Sequence, residues 1–252
     1  MLNHSALAGL LLAGGVVALM AGSAQAVGFD LEKECPGNLI VNGGFETPDP
    51  SQPDKYPKAP WNTYNKGWGW FTSVPGWTWT CLRVDWGPPR ALEIQRRAVA
   101  TAPEGMQNLE LLPNATGVAC QTVSLQPGAS YKLSFQYGRL MTYAWRNADK
   151  GKFIKFETTA DAIYRDATTK APAEEGAKGK PYPQDAQGFT KLVTADTRQQ
   201  KEQWQRYEAT FKASAAGAPA SGKVQIAFTT TMRPKECGSC GSLLDAVCLQ
   251  KA

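Results

Sequence analysis

Alternation of apolar and polar residues, in short segments bounded by glycine or proline, limits this 252-residue chain to few folds. The segments 131–137 (YKLSFQY) and 224–228 (VQIAF) place an apolar residue at every second position, the period at which one face of a β-strand is buried. Similar patterns predict strands at 38–46, 76–85, 91–96, 106–112, 117–125, 152–159, 204–212 and 243–250. Many short strands with little helical periodicity predict an all-β chain, an antiparallel β-sandwich or jelly roll.

Two polar stretches do not fit a compact sheet. Residues 47–66 contain five prolines, which cannot donate regularly to a strand ladder, so an extended surface loop is expected there. Residues 160–200 are expected to be one long polar insertion, because 166–188 are nearly free of large aliphatic residues and loops of this length are functional or mobile. A short helix is expected around 197–204.

The first 26 residues have the features of a secretory signal peptide. They carry no Lys, Arg, Asp or Glu, contain the apolar run LAGLLLAGGVVALMAG and end in Ala24-Gln25-Ala26, a small-x-small pattern typical of a cleavage site. Residues 27–252 are then expected to form a single domain that is secreted or periplasmic, with an uncleaved anchor as the alternative. No later segment has the roughly 18 apolar residues that a membrane span needs, so no span is expected.

Charge and histidine content exclude several functions. The formal net charge of +5 comes from Lys and Arg residues scattered among carboxylates, which does not indicate nucleic-acid binding. The one histidine, His4, lies in the predicted signal peptide, so the mature chain cannot form a Ser-His-Asp site or a His-ligated zinc site. Glycoside hydrolysis needs only two carboxylates, and its candidates are Glu93, Glu104 and Glu110.

Six cysteines form an even set, as expected for disulfides in an oxidising compartment. They are Cys35, Cys81, Cys120, Cys237, Cys240 and Cys248. Three disulfides are predicted, and the sequence alone allows fifteen connectivities. A metal or redox site at Cys237-Gly-Ser-Cys240 is the alternative, although no second Cys or His pair at matching spacing would complete a zinc site.

Six of the eight tryptophans fall between residues 61 and 86. They are Trp61, Trp68, Trp70, Trp77, Trp79 and Trp86. Such a density is typical of a core, of a stacking platform for a ligand, or of both. Trp77 and Trp79 share one face by period two and are predicted to be core residues. The candidates for ligand contact lie in or beside the proline-rich loop: Trp61, Tyr64, Trp68 and Trp70.

The order of motifs along the chain resembles that of a known family. The motifs are NLIVNGGFE (38–46), VPGW (74–77), LEIQ (92–95), APEGMQ (102–107), QTVSLQPG (121–128), YKLSF (131–135) and LDAV (244–247). Together they are similar to a galactose-binding-like jelly roll and, more narrowly, to a secreted domain family of unknown function shared by plant cell-wall proteins and bacterial exported proteins. Members of that family are regarded as carbohydrate-binding modules.

The resemblance implies roles for individual residues. In several jelly-roll carbohydrate modules, the Glu of the NGGFE motif and the Asp of the closing motif hold a structural calcium ion, and the matching residues here are Glu46 and Asp245. Alternation predicts that Asp245 lies on the core face, where backbone hydrogen bonds are the alternative to a hard cation. Arg139, which follows the YKLSF strand, is a candidate ligand contact. Terminal strands of such sandwiches run side by side, which would bring Cys35 near Cys248.

These observations favour a secreted, non-catalytic carbohydrate-binding protein whose loop aromatics contact a polysaccharide. The apolar C–H faces of pyranose rings stack on indole rings, while the hydroxyl groups need polar partners. An envelope or matrix protein that binds another protein is the first alternative. A glycan-active enzyme that uses carboxylates is the second. Apart from the candidate calcium ion, no cofactor is expected.

Overall fold

The computed structural model describes residues 29–51, 68–81, 91–96, 101–111, 118–139, 141–143, 153–155, 159–167, 188–198, 200, 203–213, 222–230 and 241–252. Within these ranges lie one single-turn helix and twelve β-strands. The helix is α1 (Leu31–Glu34), and the strands are β1 (Trp68–Phe71), β2 (Leu92–Arg96), β3 (Gln107–Leu111), β4 (Val118–Ser124), β5 (Ser130–Arg139), β6 (Met141–Tyr143), β7 (Phe153–Lys155), β8 (Thr159–Asp166), β9 (Thr190–Asp196), β10 (Trp204–Lys212), β11 (Lys223–Thr230) and β12 (Ser242–Lys251). The described part of the chain contains no helix that is long and apolar enough to cross a membrane.

Two antiparallel sheets form a β-sandwich. The larger sheet has the strand order β1-β2-β3-β12-β5-β10 and the smaller one β4-β11-β8-β9, while β6 and β7 pair with each other. Alternate side chains of the two sheets meet in one core, in which the rings of Phe135 and Phe228 are 5.0 Å apart. The predicted all-β sandwich of the jelly-roll type is therefore confirmed.

Most of the predicted strands are present, but the described residues differ from the prediction in three places. Residues 38–46 form turns rather than a strand, because Asn42 and Phe45 have positive φ angles of 53° and 56°. The described residues 76–81 make only isolated bridges, such as the one between Thr78 and Cys120. The short helix expected around 197–204 is not found among the described residues of that segment, which ends as β10 begins.

The polar insertion is shorter than the expected 160–200. Strands β8 and β9 occupy its two ends and pair antiparallel in the smaller sheet, with Ala160 opposite Ala195. Both alanines belong to the core, so the two ends of the expected insertion are part of the sandwich, and the stretch without large aliphatic residues lies between these strands. The central residues 168–187 lie outside the described ranges.

The turns at 38–46 run beside β12 and are held there by Asn38. Its Oδ1 accepts a hydrogen bond from the Leu249 N–H at 2.9 Å, and its Nδ2 donates to the Val247 carbonyl at 2.9 Å. Two backbone hydrogen bonds add to this contact, from the Leu39 N–H to the Leu249 carbonyl and from the Val247 N–H to the Gly43 carbonyl, each at 2.9 Å.

The same turns carry Phe45 into the core against Trp77. Phe45 is fully buried, and its ring centroid is 4.9 Å from that of Trp77. Trp77 is 5% exposed and its Nε1 donates to the Asn42 carbonyl at 3.0 Å, so its one polar atom is paired within the core. Trp79 packs against this core as a partly buried residue. Trp77 and Trp79 thus have the structural role that the sequence predicts.

Two disulfides link the segments outside the strands to the sheets. Cys35, just after α1, is bonded to Cys248 of β12, the pair that the sequence predicts, with a Cα–Cα distance of 6.0 Å. Cys81 is bonded to Cys120 of β4. Cys237 and Cys240 lie outside the described residues, so their predicted pairing stays a prediction.

Candidate functional site

The larger sheet has a second face, turned away from the smaller sheet and here termed the outer face. Phe71 and Ile94 belong to the core, so their strand neighbours Trp70 and Glu93 point to the outer face. Residues directly opposite each other in neighbouring strands share a face. One row of such residues crosses all six strands: Trp70, Glu93, Glu110, Leu243, Gly138 and Trp204.

Two tryptophans of β1 lie side by side at one edge of the outer face. The ring centroids of Trp68 and Trp70 are 5.5 Å apart, with an interplanar angle of 57°. Both side chains are half-buried and thus keep part of their surface in contact with solvent. Trp70 Nε1 donates a hydrogen bond to Glu93 Oε2 at 2.5 Å, which fixes the orientation of this ring. The two rings together form an apolar surface at the sheet edge, in which the Trp70 ring is held by Glu93.

A buried pair of carboxyl groups lies next to these rings. Glu93 and Glu110 are 6% and 2% exposed and are hydrogen-bonded to each other. Gln95 Nε2 donates to both of them, at 3.3 Å to Glu93 Oε1 and also to Glu110 Oε2. The Gly241 N–H donates to Glu110 Oε1 at 2.6 Å. With the bond from Trp70, all four carboxyl oxygens have partners, and none of the donors outside the pair is charged.

Burial raises the pKa of both carboxyl groups. For Glu110, the negative charge of Glu93 raises the pKa further, to well above its usual range, while the bond from the Gly241 N–H lowers it. For Glu93, the hydrogen bonds from Trp70, Gln95 and Glu110 oppose the effect of burial on the pKa. Glu110 therefore keeps its proton to higher pH than Glu93 does. Through that proton it donates a hydrogen bond to the Glu93 carboxylate.

Trp204 lies at the opposite edge of the outer face and was missed by sequence reasoning. Its ring rests on Gly138, where an added Cβ would be 2.7 Å from the nearest ring atom. Its Nε1 donates to both the carbonyl and the hydroxyl oxygen of Thr101, at 3.0 Å each. Alternation along 204–212 could have assigned Trp204 to the face opposite Tyr207, but its contact with Gly138 depends on non-local strand pairing.

The structure brings together two of the predicted ligand contacts. Trp68 and Trp70 lie on β1, just after the proline-rich stretch 47–66. Arg139 is buried and is opposite Ser242, which is in turn opposite the core residue Leu111. Arg139 therefore belongs to the inter-sheet side and does not join the tryptophans. The other two candidates, Trp61 and Tyr64, lie outside the described residues.

A β-bulge changes the face on which Asp245 lies. Ala246 has a φ of 49°, and the pairing of β12 with β5 shifts register after Asp245. Asp245 is opposite Gln136, the neighbour of the core residue Tyr137, so it points to the outer side of the sheet. The expected core-face position is wrong, because the bulge reverses the alternation between Asp245 and Val247.

Asp245 is nevertheless fully buried, beside Glu46 and Glu104. The Asp245 carboxylate accepts hydrogen bonds from the Glu104 N–H at 3.0 Å and the Ala246 N–H at 2.7 Å. Glu46 Oε1 accepts from the two N–H groups of residues 106–107, each at 2.8 Å. Glu104 Oε2 is buried and has no hydrogen-bond partner among the described residues. Backbone amides thus satisfy two of the three carboxyl groups and leave part of the third unpaired.

Burial and neighbouring negative charges raise the pKa values in this acidic cluster. Burial, followed by the charges of Glu46, Asp30 and Glu32, raises the pKa of Glu104 to about 7. Burial also raises the pKa of Asp245 well above its usual range, against the two amide bonds. Carboxylate oxygens are ligands that Ca²⁺ prefers. Within the described ranges, however, no three His, Cys, Asp or Glu side chains converge as a metal site.

Comparisons with known proteins give one family and several distant structures. The family DUF642, described as a protein family of unknown function, matches residues 38–250. No curated protein matches the sequence. The solved structures include the module TmCBM61 in complex with β-1,4-galactotriose (13% identity, TM-score 0.41, covering 85% of this chain and 99% of that one). A second is the CBM22-1 xylan-binding domain of Paenibacillus barcinonensis Xyn10C (10% identity, TM-score 0.34, covering 74% and 86%). A third is a proposed sugar-binding protein of Bacteroides thetaiotaomicron (14% identity, TM-score 0.33, covering 85% and 100%).

Proposed function

This chain belongs to the DUF642 family, and we propose that it is a secreted or periplasmic carbohydrate-binding protein that holds a polysaccharide against Trp68 and Trp70. The observation that carries the proposal is the pair of half-buried indole rings on the outer face, 5.5 Å apart, one of them held by a buried carboxylate. Rings fixed in this way can stack on pyranose C–H faces with little loss of side-chain entropy on binding. The disulfides of the fold suit an oxidising compartment.

Binding, rather than hydrolysis, is the proposed use of this face. The Glu93 and Glu110 carboxyl groups are hydrogen-bonded to each other, whereas the catalytic carboxyls of retaining glycosidases stand about 5 Å apart with the sugar between them. Their oxygens are also occupied by Trp70, Gln95 and the Gly241 N–H. The pair therefore supports the ring surface instead of facing a scissile bond.

The test is electrophoresis of the folded protein through native gels cast with xylan, galactan or β-glucan. We expect at least one of these polymers to retard the wild-type protein, and Trp70→Ala to weaken that binding about tenfold, because a stacking surface is lost. Trp68→Ala is expected to act in the same direction.

Val41→Ala is the matched control, since Val41 is an apolar side chain that is 57% exposed and lies elsewhere on the surface. It should leave retardation unchanged. Retardation that survives Trp68→Ala and Trp70→Ala together would contradict the proposed site. A protein that no polysaccharide retards, but that captures a specific envelope or matrix protein, would favour the protein-binding alternative.

We also propose that Glu46 and Asp245 hold a calcium ion, with Glu104 beside them as a further oxygen donor. The support is chemical: Glu104 Oε2 is buried without a partner, and burial together with neighbouring charges raises the pKa of Glu104. Carboxylate oxygens such as theirs suit Ca²⁺. When bound, the ion would supply positive charge that stabilises the ionised carboxylates.

Chelation tests the calcium proposal. We expect exhaustive treatment with EGTA to lower the melting temperature by several degrees, and added Ca²⁺ to restore it, because a ligand of the folded state stabilises that state. Glu104→Gln should remove the response to chelation. An unchanged melting temperature in EGTA would rule out the ion, leaving Asp245 stabilised by its backbone hydrogen bonds alone.

A further inference from the structure

We propose that Glu93 and Glu110 are positioning residues for the glycan site: one shared proton keeps Trp70 in its stacking orientation, and loss of that proton weakens glycan binding as the pH rises. The inference rests on the proposed function, because it concerns the same ring surface. The ring surface then depends on the one proton shared by two side chains that do not themselves contact the ligand.

The hydrogen bonds form a chain from Glu110 to the indole ring. The Gly241 N–H and Gln95 Nε2 hold Glu110, the Glu110 carboxyl group donates to Glu93, and Glu93 Oε2 accepts from Trp70 Nε1. Of these groups, Trp70 is half-buried, whereas Glu93, Gln95, Glu110 and Gly241 are buried. A change at Glu110 can therefore reach a ligand through the orientation of the Trp70 ring.

Loss of the shared proton places two negative charges side by side in a buried position. Glu93 and Glu110 are directly opposite each other in β2 and β3, where Cβ atoms are about 5 Å apart. Like charges at such a distance repel strongly when shielded from water. Glu93 must then turn away from Glu110 or draw in water, and either movement disturbs its bond to Trp70.

The described charged groups around the pair do not offset this repulsion. Strand β1 contributes no charged residue, and β3 contributes only Glu110. On β2, Arg96 lies on the same side as the core residue Ile94 and pairs with Asp49. On β12, Asp245 lies on the outer side and is itself acidic. Within the described part of the site, the shared proton is therefore what offsets the repulsion between Glu93 and Glu110.

The direction of the pH effect follows from the raised pKa of Glu110. At low pH the proton is present, the chain of hydrogen bonds is complete and the glycan affinity is highest. As the pH rises through the raised pKa of Glu110, the proton is lost and the affinity falls. If the ligand raises this pKa by one further unit, the affinity changes about tenfold across the transition.

The experiment has a part without ligand and a part with it. The indole ¹H–¹⁵N resonance of Trp70, assigned with Trp70→Phe, is followed from pH 5 to 9 in the wild type, in Glu110→Gln and in Glu208→Gln. Glu208 is an exposed acid on β10 that provides the same chemical change away from the pair. Retardation by the polysaccharide that binds most strongly is measured at the same pH values.

We expect the Trp70 resonance to titrate in the wild type and in Glu208→Gln, and to be nearly constant in Glu110→Gln, whose amide donates at every pH. Glycan affinity should fall with pH in the first two proteins and remain level in the third. Equal pH profiles in all three proteins would overturn the proposal, as would a Trp70 resonance that does not titrate. A titrating resonance in a protein that binds no polysaccharide would contradict the proposed function while supporting the positioning of Trp70 by the pair.

Discussion

Trp77 and Trp70 come from the same tryptophan-rich stretch, yet they lie on opposite sides of the larger sheet. Trp77 is almost completely buried between the sheets and donates its N–H to a backbone carbonyl. Trp70 is half-buried on the outer face and donates its N–H to a carboxylate. In both environments the indole ring is fixed, but only on the outer face does part of a fixed ring remain available to a ligand.

The difference shows that a fixed aromatic ring can serve either stability or binding, depending on the surface left uncovered. Apolar surface already buried against Phe45 and Phe228 contributes to folding. Apolar surface that is held in place but not covered contributes when a ligand covers it. Variants at the two tryptophans should therefore separate these contributions.

The largest effect is expected from Trp77→Ala. Removing a buried indole leaves a cavity between the sheets, and we expect the free energy of unfolding to fall by about 3–5 kcal/mol. Trp70→Ala should lower it by about 1–2 kcal/mol, because Glu93 loses a donor but little core is lost. Chemical denaturation measures both values. Equal losses for the two variants would remove the distinction between core and outer face.

Removal of the Cys35–Cys248 disulfide is expected to cause the next largest fall in the free energy of unfolding, because this bond lies near the core around Trp77. This bond holds the start of the 38–46 turns, which carry Phe45 over Trp77, against β12. The double variant Cys35→Ala and Cys248→Ala should lose about 2–5 kcal/mol of stability. Its polysaccharide affinity should stay at the wild-type level under conditions in which it is folded. A selective loss of polysaccharide affinity in the folded double variant would show that the core around Trp77 and the outer face around Trp70 are coupled.

The sequence correctly predicted most features that depend only on residues close together in the chain, such as the position of a strand. Period-two alternation correctly located β5 and β11. It also assigned Trp77 to the core, although the described residues 76–81 do not form the strand on which that assignment depended. It failed for Asp245, because a single bulge at Ala246 reverses the alternation. Alternation also did not predict that Glu93 and Glu110 would pair.

The central contacts of the candidate site are non-local. Trp70, Glu93 and Glu110 meet because three strands pair in one register, and Trp204 reaches Gly138 in the same way. Alternation assigns a residue to a face, but only the strand order decides its neighbours across the sheet. The types of residue in the site could therefore be anticipated, whereas their arrangement could not.

The most direct test of the proposed glycan site is an indole ¹H–¹⁵N spectrum recorded during titration with a soluble oligosaccharide of the polymer that binds. We predict that the Trp68 and Trp70 resonances shift with the ligand concentration while the Trp77 resonance stays in place. Shifts confined to tryptophans other than Trp68 and Trp70 would contradict it.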